Sequence, residues 1–327
     1  MRTYLDFEKP IAELESKIDS LRDLDDERSA AEVKEDVARL EEKAQKLLRE
    51  TYEGLSRWQK TLVARHEARP HFSNYAHTIA EGFTELCGDR SFGDDRAIIG
   101  GVAHFGNHRV VLMGHEKGTD TESRISHNFG MARPEGYRKA IRLVEMAERF
   151  NLPVVALVDT AGAYPGRGAE ERGQSEAIAS CTATFLKAKV PVVSVITGEG
   201  GSGGAVALAA ANRVLMLEHS IYSVISPEGC AAILWKDAQA KGENKAPDAA
   251  DAMKISAQDL ADLGVIDGII PEPLGGSHRA PSEAMASVRD AVSAALDELT
   301  SLSAEELIKQ RREKFIALGR QGLDAAA

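Results

Sequence analysis

A run of five glycines within seven residues, G-E-G-G-S-G-G at positions 198–204, constrains this chain more than any other feature. It follows the apolar run VPVVSVIT of residues 190–197 and precedes AVALAAA, a short stretch typical of a helix. Glycine is costly in chain entropy, so its use here indicates a close backbone approach or amides that face a ligand. The pattern predicts a buried strand, a glycine turn and a helix whose first N–H groups can bind an anion or an oxyanion.

A second glycine turn, TAGAYPG at residues 160–166, follows another buried apolar run, VVALVD at residues 154–159. Because the carboxyl ends of parallel strands meet at one edge of a sheet, we expect the two turns to lie close together. Paired main-chain donors suit an enzyme that stabilises an enolate-type or amide-type oxyanion with few charged side chains. Weaker polar candidates are His115, Lys117, Arg124 and His127 in one loop, Glu170, Glu171 and Arg172 at a helix start, and Tyr164 and Pro165 as pocket walls.

Two other interpretations of the first turn stay open from the residues alone. Close strand-to-helix packing without a ligand would also explain the glycines, with Ser202 only a spacer. Residues 198–203 match G-x-G-x-x-G, and Glu218 follows at the distance expected of a ribose-binding acid in a dinucleotide site. The D-x-x-G of residues 159–162 resembles a nucleotide-hydrolase element, but no G-x-x-x-x-G-K-[ST] exists in the chain to bind phosphates, which argues against that class.

Composition and charge narrow the class of protein further. The 327 residues carry 40 Lys+Arg against 51 Asp+Glu, a formal net charge of −11, which argues against nucleic acid as the main partner. The three cysteines, Cys87, Cys181 and Cys230, are scattered, so we expect neither a disulfide framework nor a zinc site. No apolar run approaches the ~20 residues of a membrane span and no secretory signal is recognisable, so we expect no membrane contact and a cytoplasmic location.

The order of elements predicts an α/β fold behind a helical N-terminal extension. Residues 1–65 carry apolar residues at helical spacing in two helices, separated by the polar run 23–28, and are expected to dock on the body or on a partner. Two apolar runs that flank Gly106-Asn107 predict a β-hairpin. Strand, glycine turn and helix then alternate through one domain of residues 66–300, followed by a C-terminal helix and tail at 301–327. Helical segments are further expected at 137–150, 169–187, 230–236 and 282–318, and a further apolar run lies at 265–270.

Long motifs along the chain resemble one family, the alpha subunits of the carboxyltransferase component of bacterial acetyl-CoA carboxylase. The matching stretches are LDFEKPIAELE, ARHEARP, GDR, GHEKG, NFGMARPEGYRKA, MAERF, DTAGAYPG, GAEERGQSEAIA, GEGGSGGA, YSVISPEGCAAILWK and IIPEPLGGSHR. The resemblance implies a crotonase/ClpP-like superhelix of ββα units. It also implies transfer, together with a beta subunit, of a carboxyl group from carboxybiotin on the biotin carboxyl carrier protein to acetyl-CoA, giving malonyl-CoA for fatty acid biosynthesis.

The same resemblance implies roles for individual residues. The backbone N–H groups of Gly203 and Gly204 would form an oxyanion hole for the biotin ureido oxygen, and Gly162 and Ala163 would line the same cleft. The expected substrate-binding set is completed by Tyr164, Gly200 and Gly201. An alternative within the same fold is a stand-alone acyl-CoA hydratase or decarboxylase, for which Glu199 is the only well-placed acid.

The cofactor and the partners are likewise implied by the resemblance. Biotin would arrive on its carrier protein rather than be attached here, and no metal is expected in this chain because the zinc of the family belongs to the beta subunit. The expected partners are that beta subunit in an α2β2 assembly, the biotin carboxyl carrier protein, biotin carboxylase, and acetyl-CoA or malonyl-CoA. Three departures from the family pattern are Ala161 in place of Pro, Glu116 in place of Gln, and a longer loop near residues 237–246, whose conformation the sequence does not predict.

Overall fold

A single mixed sheet forms the centre of the computed structural model, which describes residues 3–23 and 30–324. Within those residues eight strands pair in the order β1-β2-β3-β4-β5-β6-β8, and β7 pairs with the end of β5. The strands are β1 Glu81–Glu85, β2 Ile98–Phe105, β3 His108–His115, β4 Val154–Thr160, β5 Val192–Gly201, β6 Arg213–Leu217, β7 Ile221–Ser223 and β8 Gly268–Ile270.

Helices surround this sheet and make up most of the remaining described chain. They are α1 Lys9–Asp23, α2 Ala30–Glu53, α3 Arg57–Ala64, α4 Phe72–Thr78, α5 Thr121–Ser126, α6 Pro134–Phe150, α7 Arg167–Glu170, α8 Gln174–Lys187, α9 Ser202–Ala209, α10 Pro227–Leu234, α11 Lys236–Ala240, α12 Ala246–Met253, α13 Ala257–Asp262, α14 Pro281–Leu299 and α15 Ala304–Asp324. No helix among the described residues is both long and apolar enough to cross a membrane.

The predicted hairpin and the predicted parallel sheet are both confirmed. Phe105 pairs with His108 across the antiparallel β2–β3 ladder, so Gly106 and Asn107 form a two-residue loop, with Gly106 at a φ of 59°. From β3 onward every pairing is parallel. Strands β4 and β5 are buried along their whole length, which explains their apolar, β-branched composition.

The sequence predicts a turn over the whole glycine run, and the structure corrects this prediction. Strand β5 continues through Gly198 to Gly201, and α9 begins directly at Ser202. The end of β5 leaves β6 and pairs with β7, with Gly200 opposite Tyr222. The absence of side chains permits this path, because a Cβ on Gly198 would collide with the Asp159 carboxylate and one on Gly201 with the Ala161 carbonyl.

Several other predicted boundaries are corrected by the structure. The helix expected at 169–187 is two helices, α7 and α8, because Gly173 between them adopts a φ of 81°. The helix expected at 230–236 begins earlier, because Ser226 caps α10 by accepting the Gly229 N–H. Only Gly268–Ile270 of the apolar run at 265–270 is a strand. The helical section expected at 282–318 is confirmed, and it consists of α14 and α15.

The N-terminal helices dock on the body of the same chain. Ile11, Leu48 and Tyr52 are buried together with Val63 of α3, and the Tyr52 ring packs edge-on against His219 of the body, with 5.4 Å between the ring centres. Arg279 adds ion pairs to the N-terminal segment, with 3.1 Å to Glu8 and 2.8 Å to Glu15. The predicted break at 23–28 lies, after Asp23, outside the described residues. The division at residues 65 and 300 stays a prediction.

Helix α15 is also held to the body, because the buried Arg311 donates a hydrogen bond of 2.6 Å from Nη1 to the Phe185 carbonyl.

Candidate functional site

The two glycine turns are in direct contact, as their place after neighbouring strands predicted. A Cβ on Gly204 would lie 2.7 Å from the carbonyl carbon of Gly162 and 2.8 Å from the nitrogen of Ala163. Thr160 pairs with Gly200 in the β4–β5 ladder, which fixes the register of the two strand ends. The first turn of α9 is therefore seated on the backbone that follows β4.

The N-terminus of α9 leaves main-chain donors available at this contact. No side chain caps the helix, and the first N–H groups of any helix lack an intrahelical acceptor. Ser202 is exposed at a left-handed φ of 52°, and Gly203 is half-buried. A Cβ on Gly203 would meet only the Ile178 side chain, at 3.3 Å, so its position is far less enclosed than that of Gly204. The amides of Gly203 and Gly204 fit the predicted role of oxyanion donors.

The facing turn is stiffened by its own hydrogen bonds. The Thr160 hydroxyl donates to the Gly162 carbonyl at 2.8 Å and accepts the Gly162 N–H at 3.1 Å. Gly162 has a φ of 150°, which favours glycine. The amide of Gly162 is thus occupied within the turn, whereas the Ala163 N–H finds no acceptor among the described residues. Ala163 is the better candidate for a third main-chain donor.

The remaining predicted substrate-binding residues lie around this contact but differ in exposure. Gly200 and Gly201 are buried strand residues, and a Cβ on Gly200 would lie 2.9 Å from the Tyr222 ring. Tyr164 is half-buried, with the Arg133 guanidinium 4.9 Å above its ring centre. Close packing therefore accounts for Gly200 and Gly201, and the role of all three in binding stays a prediction.

A buried carboxylate, Asp159, joins the strand ends beneath the turns. It accepts the Glu199 N–H at 2.9 Å, and its oxygens lie 2.6 Å from Lys117 Nζ and 3.4 Å from His71 Nδ1. Burial by itself would raise the pKa of the Asp159 carboxyl, but the cationic partner Lys117, assisted by His71, holds that pKa well below its usual range. Asp159 is thus a fixed anion that anchors β5 just ahead of the glycine contact.

The acid that the hydratase alternative needs, Glu199, is not free. It is 5% exposed, and its Oε1 lies 2.6 Å from Arg65 Nη2. The same guanidinium lies 2.6 Å from Glu228 in the first turn of α10. Glu199 is therefore a buried ion-pair partner that ties the end of β5 to α3 and α10. A general acid would instead have to face the substrate with its proton available.

Among the weaker polar candidates, His115 and Lys117 lie near the buried Asp159, whereas the others lie elsewhere. His115 is buried, and burial lowers its pKa to about 4, so the imidazole is neutral at physiological pH. Lys117 is committed to Asp159. His127 is half-buried, and its Nδ1 lies 2.7 Å from the Arg96 carbonyl oxygen. Five others are placed as follows: Arg124 is 3.9 Å from Glu67, Arg172 pairs with Glu135, Glu171 pairs with Arg167, and Glu170 and Pro165 are exposed.

The structure does not support the dinucleotide interpretation of the same glycines. Residues 198–201 extend a strand and pack against neighbouring backbone instead of turning toward a ligand. The carboxylate of Glu218 accepts the backbone N–H of Glu272 at 3.1 Å, so it is engaged within the fold. Sequence reasoning gave no role to Arg65 or His71, because each lies far along the chain from its carboxylate and no local pattern marks the pairing.

Comparison with known proteins identifies one family. Residues 4–319 match the family model described as acetyl co-enzyme A carboxylase carboxyltransferase-like. A protein of Ruegeria pomeroyi named acetyl-coenzyme A carboxylase carboxyl transferase subunit alpha is 60% identical over 325 residues, covering 99% of this chain and 100% of the relative. A protein of the same name from Paracoccus denitrificans is 58% identical over 321 residues, covering 98% of this chain and 99% of the relative.

Solved structures show the same fold at low sequence identity. Transcarboxylase 12S, with methylmalonyl-coenzyme A bound, aligns at a TM-score of 0.58 and 20% identity, covering 71% of this chain and 42% of that one. The beta subunit of Pseudomonas aeruginosa geranyl-CoA carboxylase aligns at a TM-score of 0.56 and 17% identity, covering 77% of this chain and 46% of that one. One chain of a Pseudomonas malonate decarboxylase hetero-dimer aligns at a TM-score of 0.55 and 17% identity, covering 83% of this chain and 100% of that one. These likenesses confirm the predicted crotonase-like α/β fold.

Proposed function

The chain belongs to the acetyl co-enzyme A carboxylase carboxyltransferase-like family, and from that premise we propose that it is the alpha subunit of an acetyl-CoA carboxylase carboxyltransferase. With a beta subunit it transfers the carboxyl group from carboxybiotin on the biotin carboxyl carrier protein to acetyl-CoA, giving malonyl-CoA for fatty acid biosynthesis. The match to relatives of that name is nearly full-length for both proteins, so it does not rest on a shared fragment.

The observation that carries this proposal is the contact between α9 and the turn after β4. Bound carboxybiotin would supply the carboxyl group that is transferred, and its ureido oxygen would then need donors that stabilise negative charge. The amides of Gly203 and Gly204 are fixed dipoles that can stabilise this charge without reorganising. Their positions are rigid because Gly204 has no room for a side chain beside Gly162 and Ala163. The residues present therefore fit the group that the family implies.

The charged side chains near the turns support charge stabilisation rather than proton transfer. Glu199 is paired with Arg65, and Asp159 is paired with Lys117, so neither is free to act as an acid or a base. A stand-alone hydratase would need such a group facing the substrate. This chain therefore contributes the oxyanion donors, and no general base is assigned to it.

We further propose the partners and the cofactor that this activity requires. Biotin reaches the site on its carrier protein, and the beta subunit completes the site and holds the zinc. An α2β2 assembly, biotin carboxylase as the source of carboxybiotin, and a cytoplasmic location complete the proposal. The cations that bind the phosphates of CoA are assigned to the beta subunit, since this chain has a net charge of −11.

The experiment that tests this function is reconstitution with the beta subunit. The isolated chain, the isolated beta subunit and the co-purified complex are compared for decarboxylation of malonyl-CoA in the presence of the biotin analogue biocytin. We expect activity from the complex alone. Full turnover by the isolated chain would contradict the two-subunit proposal, and enoyl-CoA hydration by the isolated chain would support the alternative.

A further inference from the structure

A strained turn contacts the end of β4, and the proposed activity does not yet explain it. Asn128, Phe129 and Gly130 have φ values of 49°, 55° and 76°, so three consecutive residues are left-handed. Glycine adopts this conformation freely, and asparagine is enriched in it. A bulky aromatic residue is a genuine outlier there, because its Cβ crowds the backbone. Strain of this kind persists only where the surrounding structure enforces it, and it clusters at functional sites.

The neighbours of Phe129 explain how the turn is held but not why its centre is aromatic. Asn128 donates from Nδ2 to the Met131 carbonyl at 2.7 Å, and the Gly130 N–H donates to the His127 carbonyl at 3.0 Å. The Phe129 ring is 50% exposed, and it stacks on no other aromatic ring among the described residues. Half of its apolar surface thus gains nothing from burial within this chain.

The strained turn runs along the edge of the candidate site. A Cβ on Gly130 would lie 3.0 Å from the Asp159 carbonyl oxygen, so this backbone touches the end of β4. Two residues later, the Ala132 carbonyl accepts the Tyr164 N–H at 2.9 Å. The segment therefore borders the turn at residues 160–166, which also contacts Gly204 through Gly162 and Ala163. Phe129 is the exposed residue directly before the backbone contact of Gly130 with the end of β4.

We propose that Phe129 is a substrate-contacting residue that packs against the fused rings of biotin. This inference rests on the proposed function. The ureido oxygen of biotin is part of a compact bicycle, so an apolar surface lies directly beside any donor that binds that oxygen. In an acyl-CoA, a flexible chain follows the thioester group, and the adenine of the CoA lies far from the reacting carbon. An exposed aromatic ring on the segment that borders the turn at residues 160–166 therefore matches the biotin end.

The test uses the complex with the beta subunit and two substrates that can be varied separately. In malonyl-CoA decarboxylation with biocytin, Phe129→Ala should raise the KM for biocytin about tenfold, the scale expected for a lost aromatic contact. The KM for malonyl-CoA should not change. Phe150→Ala is the matched control, because Phe150 is 69% exposed at the opposite end of α6 and should leave both constants unchanged.

A second variant separates a substrate contact from a structural role. Phe129→Gly removes the ring and also relieves the left-handed strain, so its thermal midpoint should rise while its KM for biocytin rises as in Phe129→Ala. Lys254→Gly is the control for strain alone, because Lys254 has a φ of 51° at the end of α12 and should gain stability without a kinetic change.

The outcomes distinguish this inference from the function on which it rests. An inactive wild-type complex would overturn the proposed function itself. An active wild-type complex whose KM for biocytin is the same in Phe129→Ala would overturn only the role of Phe129. A rise confined to the KM for malonyl-CoA would also overturn it, because the ring would then contact CoA instead.

Discussion

Gly204 lies so close to Gly162 that a Cβ on Gly204 would be 2.7 Å from the Gly162 carbonyl carbon. Atoms of two backbone segments cannot yield as a flexible side chain can. This contact holds the first turn of α9 against the turn after β4, and it sets the position of the proposed oxyanion donors. Four predictions follow from this site, in addition to those for Phe129.

Gly204→Ala should lower both stability and turnover. The new methyl group would push the Gly162–Ala163 backbone away, at a cost of ~1–3 kcal/mol for an overpacked site. Gly203→Ala is the matched control, because its Cβ meets only the flexible Ile178 side chain at 3.3 Å. Thermal unfolding and kcat of the reconstituted complex are the measurements. Equal behaviour of the two variants would show that the contact does not position the donors.

Asp159→Asn should destabilise the fold mainly at neutral pH. The variant breaks a buried ion pair with Lys117, which costs about 3–5 kcal/mol when one partner is removed. The folded-state pKa of Asp159 is depressed, so its stabilisation is fully present above the unfolded-state pKa of ~3.9 and is lost as the pH falls through the folded-state pKa.

Urea unfolding of the wild type and of Asp159→Asn measures this difference across the pH range. The gap in the free energy of unfolding should be large at pH ~7 and should shrink as the pH falls below the unfolded-state pKa of ~3.9. Asp262→Asn, at an exposed position at the end of α13, is the control and should show almost no gap. A gap for Asp159 that is independent of pH would mean that the carboxylate is not paired as described.

Glu199→Gln should leave carboxyl transfer near its wild-type rate. The amide can still accept from Arg65, and Arg65 keeps its ion pair with Glu228. A catalytic acid would instead lose ~10²-fold or more on this substitution. Steady-state kcat of the reconstituted complex is the measurement, with Glu228→Gln as the matched change on the other side of Arg65. A loss confined to Glu199→Gln would favour an acid–base role for that carboxyl.

Local sequence was sufficient for the elements that depend on neighbouring residues. The β2–β3 hairpin follows from two apolar runs around Gly106 and Asn107, and β4 and β5 follow from their buried, β-branched runs. The contact between the glycine turns also followed, because parallel strands place their carboxyl ends together. The family resemblance then supplied the roles of the glycines, which spacing alone left open.

The remaining features depend on residues that are distant in the sequence. Arg65 and Glu199 are 134 positions apart, so nothing in the glycine run indicated that its one acid is neutralised. The strand continued to Gly201 because β7 pairs with it, and no local signal marks that partner. The left-handed Phe129 was equally hidden, since aromatic residues rarely adopt such a conformation.

The central claim is that the N–H groups at the start of α9 stabilise the developing oxyanion, and a pair of substitutions at Gly203 tests it most directly. Gly203→Pro removes one donor at a position where the first helical turn does not use its N–H, whereas Gly203→Ala adds a Cβ but keeps the donor. In the reconstituted complex, Gly203→Pro should cut kcat ~10²-fold or more, and Gly203→Ala should stay close to the wild type. A Gly203→Pro complex that assembles and turns over at the wild-type rate would contradict the claim.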